Sequence, residues 1–284
     1  MQFIGVTLYN PELKQIEYIK LLGEKQKNSK IIIIDNTLQG CNAKGYFEED
    51  NIIYVADGIN YGLSVAFNKI IDISNEIIKE RNEIGDANYL LLIDQDSQFD
   101  LNILDAFLNE VIKRNDEKIG IYSCRTSPQN EVEFASSKYS VTFQDWVISS
   151  GSVLNLNVVI KKNIRYDENI FIDHVDYDFC NRLKSHQLSI ITLNNYFFTQ
   201  KLGYIYKNNC CHSPIRFYYM MRDQLYLNSK YSSSRIKNYY YNLKSIRNYI
   251  ILVFSKEDNK IKKIQFILRG IFDYTRGKRG EYVK

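Results

Sequence analysis

Two clusters of carboxylates define the chemistry open to this sequence. The first is Asp94-Gln95-Asp96, which follows the apolar run Tyr89-Leu90-Leu91-Leu92-Ile93 without a gap. A run this short and this apolar predicts a strand buried on both faces, with the acids at its C-terminal end. Residues two apart in extended chain point the same way, so Asp94 and Asp96 can address one ligand. Two hard oxygen donors suit Mg²⁺ or Mn²⁺ carrying phosphate. The plainer role for these acids is to polarise a turn before a helix capped by Asp100. The second cluster lies between Phe171 and Arg182 and holds Asp173, Asp176 and Asp178. If a helix starts near His174, Asp173 caps it and Asp176 falls in its first turn, where the helix dipole favours a carboxylate over its acid. A carboxylate kept ionised can serve as a base. Arg182 is spaced to pair with Asp178 across one turn. An acidic helix start serving stability alone is the plainer reading here.

The elements that must hold these acids follow from the order of the chain. Gln2 to Leu8 reads as a first strand, ended by Tyr9-Asn10-Pro11 before a helix through Leu22. Ile31 to Ile34 is a second buried strand closed by Asp35-Asn36, and Ile52 to Ala56 a third. Asn60 is placed to cap a helix running to about Arg81, and Gly62 permits close backbone approach. Ile103, Leu104, Phe107, Leu108 and Val111 keep helical spacing after Asp100. Ile119 to Ser123 is a further strand, Arg125 to Tyr139 a polar and mobile loop, and Val147 to Asn155 a strand interrupted by Ser149-Ser150-Gly151-Ser152. Strand, helix, strand with an acid at the second strand's end opens a nucleotide-binding α/β unit. The sequence holds neither Gly-x-Gly-x-x-Gly nor a Walker A Gly-Lys-Ser/Thr, which argues against a dinucleotide-binding enzyme and a P-loop NTPase.

The composition narrows the class further. The chain has 284 residues, 45% of them hydrophobic, which is enough for a sizeable core. Its longest apolar runs fall far short of the roughly 20 residues that span a bilayer. The first residues enter a strand without the marks of a signal peptide, so export is not expected. Five cysteines without Cys-x-x-Cys spacing indicate neither a disulfide framework nor a zinc site, and the cytosol fits best. The net charge of +4 is unevenly spread: residues 213–284 hold 16 Lys and Arg against 5 Asp and Glu, and the remainder 21 against 28. This basic tail is Tyr-rich and amphipathic and carries no nucleic-acid motif. It therefore suits an anionic membrane surface better than a nucleic acid, with a solvated basic helix face as the plainer reading.

A set of motifs then occurs in a telling order: Gly5-Val6-Thr7-Leu8-Tyr9-Asn10-Pro11, Asp35-Asn36, Asn60-x-Gly62 with Ala66-x-Asn68, Asp94-Gln95-Asp96-Ser97, Ser150-Gly151-Ser152, Phe171 to Arg182, and His212-Ser213-Pro214-x-Arg216-x-Tyr218-Tyr219. In this order they resemble glycosyltransferase family 2, most closely its bacterial rhamnosyltransferase-like branch, over about residues 3 to 230. The segment Gly270 to Gly280 is similar to the end of such proteins. The resemblance implies a glycosyltransferase-A fold, a Rossmann-like mixed sheet flanked by helices. Residues 1–212 would form the catalytic domain, with 1–100 its nucleotide-binding half and 101–212 its acceptor half, and 213–284 a helical extension. It further implies an inverting transferase that moves a sugar, best guessed as L-rhamnose from dTDP-L-rhamnose, to a lipid-linked oligosaccharide or polysaccharide acceptor. Such an enzyme would work in the cytoplasm, peripheral on the inner face of the membrane.

Residue roles carry over position by position. Thr7, Tyr9, Asp35, Asn60, Gly62, Asn68, Asp94, Gln95 and Asp96 match the nucleotide-sugar side, with Asp35 on the base and Asp96, joined by Asp94, on an Mg²⁺ or Mn²⁺ ion. Asp176 matches the catalytic base, with Asp173 the runner-up. Ser150, Gly151, Arg182, His212, Arg216 and Arg222 match the sugar and acceptor side. Two departures stand out. The His that relatives carry before Leu-Gly is Gln200 or its neighbours here, in Thr199-Gln200-Lys201-Leu202-Gly203, and the Arg-Asn pair after the tyrosines is Arg222-Asp223. An amide is a poorer ligand for a transition metal than imidazole, though acceptable to Mg²⁺. Competing readings are a UDP-sugar hexosyltransferase of the same family, a phosphatase of the haloacid-dehalogenase type, whose nucleophile loop is also a strand ending in Asp-x-Asp, and a non-catalytic glycan-binding relative.

Overall fold

A computed structural model describes residues 2–38, 42–82, 87–128, 140–201, 203–207 and 209–282. The chain forms two compact units, Met1–Tyr166 with Phe179–Lys201, and Asp167–Asp178 with Leu202–Lys284. The boundary expected after residue 212 thus falls after Lys201. The acidic segment between Asp167 and Asp178 is grouped with the C-terminal helices rather than with the sheet.

The first unit opens with β1 (Gln2–Leu8), α1 (Leu13–Lys25), β2 (Ser29–Asp35), β3 (Ile52–Val55), α2 (Gly62–Glu80) and β4 (Tyr89–Asp94). The four strands run parallel in the order β3-β2-β1-β4, so their C-terminal ends open on one edge. Register sets Thr7 level with Asp94 and Leu8 level with Asp35. The apolar runs are buried on both faces, as their lack of alternation requires: Ile31 to Ile34 and Leu90 to Leu92 have almost no exposed surface. Pro11 precedes α1, where the Glu12 N–H donates to the Gln15 side chain at 2.7 Å.

The unit continues with β5 (Ser97–Gln98), α3 (Leu101–Arg114), β6 (Ile119–Pro128), β7 (Val141–Phe143), β8 (Ser152–Asn155) and α4 (Leu156–Lys161). After α5 (Val175–Ser185), whose first turns belong to the second unit, comes β9 (Ser189–Gln200). β8 joins β4 and β6 antiparallel, β9 joins β6 parallel, and β5 and β7 both pair with β9. Asp100 caps α3 as expected, accepting from the N–H groups of Asn102 (2.9 Å) and Ile103 (3.2 Å).

Three local expectations are corrected. Only Ser152–Asn155 of the stretch from Val147 is strand, because Gly151 turns the chain with φ +75°. A Cβ there would come within 2.2 Å of the Phe198 ring, so the close approach itself demands glycine. Asn60 is not the N-cap of α2. Tyr61 holds that position, while Asn60 accepts from the Gly62 N–H at 3.1 Å. The strand from Ile119 runs on through Arg125 to Pro128, and residues 129–139 of the expected mobile loop lie outside the described residues.

In the second unit a hairpin of β10 (Tyr204–Tyr206) and β11 (Asn209–Cys211) leads into α6 (Pro214–Tyr231), α7 (Arg235–Lys256) and α8 (Lys260–Thr275). Pro214 takes the first turn of α6, where its missing N–H costs nothing. Phe217, Met221 and Leu225 of α6 form a core with Val253 of α7 and Ile267 of α8. A second, aromatic cluster joins Phe171, Tyr218 and Tyr219 with Tyr282 packed against them. No helix of the described residues is long and apolar enough to cross a membrane.

Candidate active site

The edge of the first unit where the parallel strands end carries most of the residues expected on the nucleotide side. Thr7 Oγ1 lies 3.4 Å from Asp94 Oδ1, as their register dictates. Gln95 grips the backbone of Tyr9 twice: its carbonyl oxygen accepts from the Tyr9 N–H (2.7 Å) and its amide donates to the Tyr9 carbonyl (3.1 Å). Gln95 thereby extends the β1–β4 pairing by one side chain. Ser150 supports the same strand end from below. Its hydroxyl accepts from the Asp94 N–H (3.0 Å) and donates to Ser97 Oγ (2.9 Å), while the Gly151 N–H donates to the Leu92 carbonyl (2.8 Å). Ser150 is almost fully buried, so it positions Asp94 instead of facing a sugar.

Asp96 stands beside Gln200 because β5 pairs with the end of β9, Ser97 opposite Gln200. The Gln200 amide donates to Asp96 Oδ1 at 3.2 Å, and the Lys201 N–H to the Asp96 carbonyl at 3.1 Å. Gln200, in the segment where the family resemblance expects a His, is therefore hydrogen-bonded to the acid. The donor set of two carboxylates and an amide, which presents its oxygen once rotated, consists of hard oxygens and fits Mg²⁺ or Mn²⁺.

On the β2 side, Asp35 is buried and its oxygens accept from the Thr37 N–H (2.9 Å) and the Tyr54 hydroxyl (2.6 Å). Each oxygen keeps a further lone pair, but the carboxylate is 1% exposed, so its neighbours must open for a nucleobase to reach it. Asn36 bridges to the start of α2, accepting from the Tyr61 N–H and donating to the Gly62 carbonyl, both at 3.2 Å. Gly62 adopts φ +71° there. Thr37, which no motif singles out, accepts from the Asn10 N–H at 2.8 Å and ties the β1 turn to the β2 turn. Asn68 does not belong to this edge. It is 2% exposed, and its amide is spent on the backbone of Tyr166 in both directions (2.9 and 3.1 Å).

The second acidic cluster is held along α6. Phe171 N–H donates to Asp223 Oδ2 (3.2 Å), and Arg216 donates through Nε and Nη2 to Asp173 Oδ1 (3.2 and 3.1 Å). The His174 ring lies 3.3 Å from the Met220 carbonyl. Lys230 donates both to Asp167 Oδ2 (2.5 Å) and to Asp178 Oδ1, and the Tyr231 hydroxyl adds a bond to Asp178 at 2.7 Å. Burial alone would raise the Asp167 carboxyl, but Lys230, Asn169 and Tyr226 outweigh it and hold the group well below its ordinary range. Asp173 is therefore no helix cap: one oxygen serves Arg216, and the other is buried without a hydrogen-bond partner. His174 next to it has φ +70°, a left-handed conformation uncommon outside glycine. Asp176 lies half-buried in the first turn of α5, where the dipole favours its anion, and Arg182 near the last turn.

Among the other residues expected near the acceptor, His212 stands 3.5 Å from Arg216 Nη1 through its Nδ1. Burial first, then the neighbouring Arg216 charge, pull its pKa below the ordinary 6.5. Arg222 has no exposed surface. Its guanidinium donates to Asp223 (2.8 Å), the Gly280 carbonyl (2.7 Å) and the Tyr218 hydroxyl (3.4 Å), which leaves no face for a sugar. The change from Asn to Asp at 223 thus supplies a buried counter-ion and a bond to Phe171, and puts no negative charge on a binding surface. A further cluster, Cys211, Glu257 and Asp258, has metal-like spacing, but Lys263 Nζ already binds both carboxylates (2.6 and 2.5 Å).

No family model matches the sequence. The dTDP-rhamnosyl transferase RfbF of Shigella flexneri is 26% identical to it, the match covering 97% of this chain and 95% of the relative. The fold is that of a solved structure of GalNAc-T7 with UDP, GalNAc and Mn²⁺, with TM-score 0.53 and 8% identity. That likeness covers 97% of this chain, which spans 57% of the solved one, and it places the mixed sheet in the glycosyltransferase-A fold. The chain is thus similar over nearly its whole length to a rhamnosyl transferase and shares the fold of a glycosyltransferase. Here the Asp-x-Asp strand is the fourth along the chain and the fourth across the sheet, next to the point where parallel pairing gives way to antiparallel. Ligands of open α/β sheets bind at the strand ends where the order switches.

Proposed function

We propose that this glycosyltransferase moves L-rhamnose from dTDP-L-rhamnose to a hydroxyl of a lipid-linked oligosaccharide or polysaccharide, with inversion, in bacterial cell-surface glycan synthesis. The observation that carries the reading is the near full-length match to a dTDP-rhamnosyl transferase, joined to an Asp-x-Asp strand end braced by Gln95 and Ser150. Thr7, Tyr9, Asn60, Gly62 and Gln95 line the donor side, and Asp96 with Asp94 and Gln200 would hold Mg²⁺ or Mn²⁺. Held there, such an ion would supply charge neutralisation for a departing diphosphate. Asp176 takes the proton of the acceptor hydroxyl as that oxygen attacks the anomeric carbon opposite the leaving nucleotide. A single displacement needs no enzyme nucleophile, only a carboxylate within hydrogen-bond reach of the acceptor. The basic C-terminal unit docks the enzyme on the cytoplasmic leaflet, where a lipid-linked acceptor is found.

Calorimetry with dTDP-L-rhamnose and with UDP-sugars, each with Mg²⁺ or Mn²⁺, tests the donor. Binding of the dTDP-sugar, weakened in Asp96→Asn, is expected. Binding of UDP-sugars alone would move the reading to a UDP-sugar hexosyltransferase, and binding of none would end it. A product that retains the anomeric configuration would reject the single displacement.

A further inference from the structure

Helix α7 has two apolar sides. Val253 is fully buried, and Ile246, Tyr249 and Leu252 pack against the core formed with α6 and α8, which fixes the helix about its own axis. Facing away from that core, Ile236, Tyr240, Leu243, Ile250, Ile251 and Phe254 remain open to solvent, with exposures from 36% at Ile250 to 83% at Ile236. At 100° per residue these six side chains fall within an arc of about 100° and span about 27 Å from Ile236 to Phe254, with the exposed Arg247 inside the arc and Lys237 and Lys244 along one border. A stripe of that extent is far larger than the scattered apolar residues of an ordinary surface.

The charges around it are all of one sign. Arg235–Lys256 contains no acidic residue, and Lys237, Lys244 and Arg247 are exposed along the same helix. α8 repeats the pattern, with Ile261 and Leu268 exposed beside Lys260, Lys262 and Arg269, and its single acid, Asp273, is buried. An apolar stripe bordered by Lys237 and Lys244 and interrupted by Arg247 does not suit a second copy of itself, because these charges would repel. It suits a surface that is apolar within and negative at its edge. Long Lys and Arg side chains can keep their charges at such an edge while the stripe enters it.

We infer that α7 lies in the plane of an anionic lipid membrane, with the stripe from Ile236 to Phe254 sunk into the boundary between headgroups and acyl chains, Lys237 and Lys244 on the headgroups, and Arg247 reaching up to them from within the stripe on its long side chain. The inference deepens the docking reading above and is independent of the donor sugar. It makes the helix an anchor that lies on the bilayer without crossing it, consistent with its hydropathy. The depth of such helices is about 5–10 Å, enough to take in one row of side chains.

The test is flotation of the full-length protein with vesicles of phosphatidylglycerol and phosphatidylcholine, against phosphatidylcholine alone. Preferential partition to the anionic vesicles, weakened by salt, is expected. Leu243→Glu with Phe254→Glu should abolish it. Lys237→Gln, Lys244→Gln and Arg247→Gln together should weaken it on the order of a hundredfold, about fivefold per charge. All five positions are exposed, so the thermal transition and the affinity for dTDP-L-rhamnose should stay at wild-type values; that readout separates a failed anchor from a failed donor assignment. Equal partition to both vesicle types, or unchanged partition of the double Glu variant, would overturn the inference. So would a dimer in light scattering that the double Glu variant loses, since the stripe would then be a self-association face.

Discussion

Asp94 and Asp96 are carried by backbone, whereas Asp173 and Asp176 are carried on a segment tied down by side chains. Asp94 ends a central strand with neighbours on both sides and Asp96 follows in the turn to β5, while Gln95 braces this end through the Tyr9 backbone and Ser150 through the Asp94 N–H. The second pair lies on a segment held largely by side chains: Arg216 on Asp173 and Lys230 on Asp167 and Asp178 as ion pairs, the Tyr231 hydroxyl on Asp178, and Phe171 packed with Tyr218 and Tyr219. A sheet edge resists substitution because no one residue supplies it. A segment held by side chains depends on the few residues that supply them. That contrast predicts stiffness on the donor side and sensitivity on the acceptor side.

The largest effect should come from Asp176→Asn, which keeps shape but cannot accept a proton. Turnover should fall about 10²- to 10⁴-fold while calorimetry finds donor affinity unchanged. Should Asp173→Asn be the dead variant and Asp176→Asn the active one, the base is the residue paired with Arg216. Lys230→Met comes next, because it strands two buried carboxylates. Urea unfolding should show a loss of about 3–5 kcal/mol, with donor affinity kept by any protein that remains folded. Loss of donor binding in folded Lys230→Met would erase the contrast drawn above. The sign of the pH dependence follows from Asp167. Its folded pKa is depressed, so its contribution is fully present above the unfolded value near 3.8 and fades as pH falls through the lower folded one.

Gly151→Ala probes the stiff side. Left-handed backbone plus the contact with Phe198 should cost about 2 kcal/mol and loosen the support of Asp94, read as weaker donor binding. Gln200→His should tighten Mn²⁺ on the order of tenfold in titration of the protein alone, since imidazole is the better ligand for that ion. No change would take Gln200 off the ion. The smallest effect is spectroscopic: in proton NMR His212 should titrate below 6.5, and Arg216→Gln should move it back up. As a depressed group, His212 contributes stability above 6.5 that is lost as pH falls towards its folded value.

Much of the stiff region could be read from the chain. β1 is bounded as its apolar pattern says, and Asp100 caps α3, because both depend on neighbours a few residues away. The expectation for Ser149 to Ser152 failed in a narrow way: small residues were read as an interrupted strand where Gly151 makes a left-handed turn. Asn68 sat in a motif shared with nucleotide-binding relatives, yet its amide answers a backbone 98 positions later, which no local pattern reports. The same holds for Lys230, whose partners Asp167 and Asp178 lie 63 and 52 positions away. Arg222 is set on the acceptor side by the family resemblance, and only the tertiary structure shows Asp223, Tyr218 and Gly280 enclosing it.

The two bonds of Lys230 turn the segment from Asp167 to Asp178 into a closed ring of twelve residues fastened by one ammonium group. Closing a loop costs entropy that grows only slowly with its length, so a fastener at the two ends tolerates insertion or exchange of the residues within. Exchanging inner residues other than Phe171, Asp173 and Asp176, while keeping Asp167, Asp178 and Lys230, should therefore leave the thermal transition near the wild-type value, because the clasp fixes the ends and not the contents of the loop.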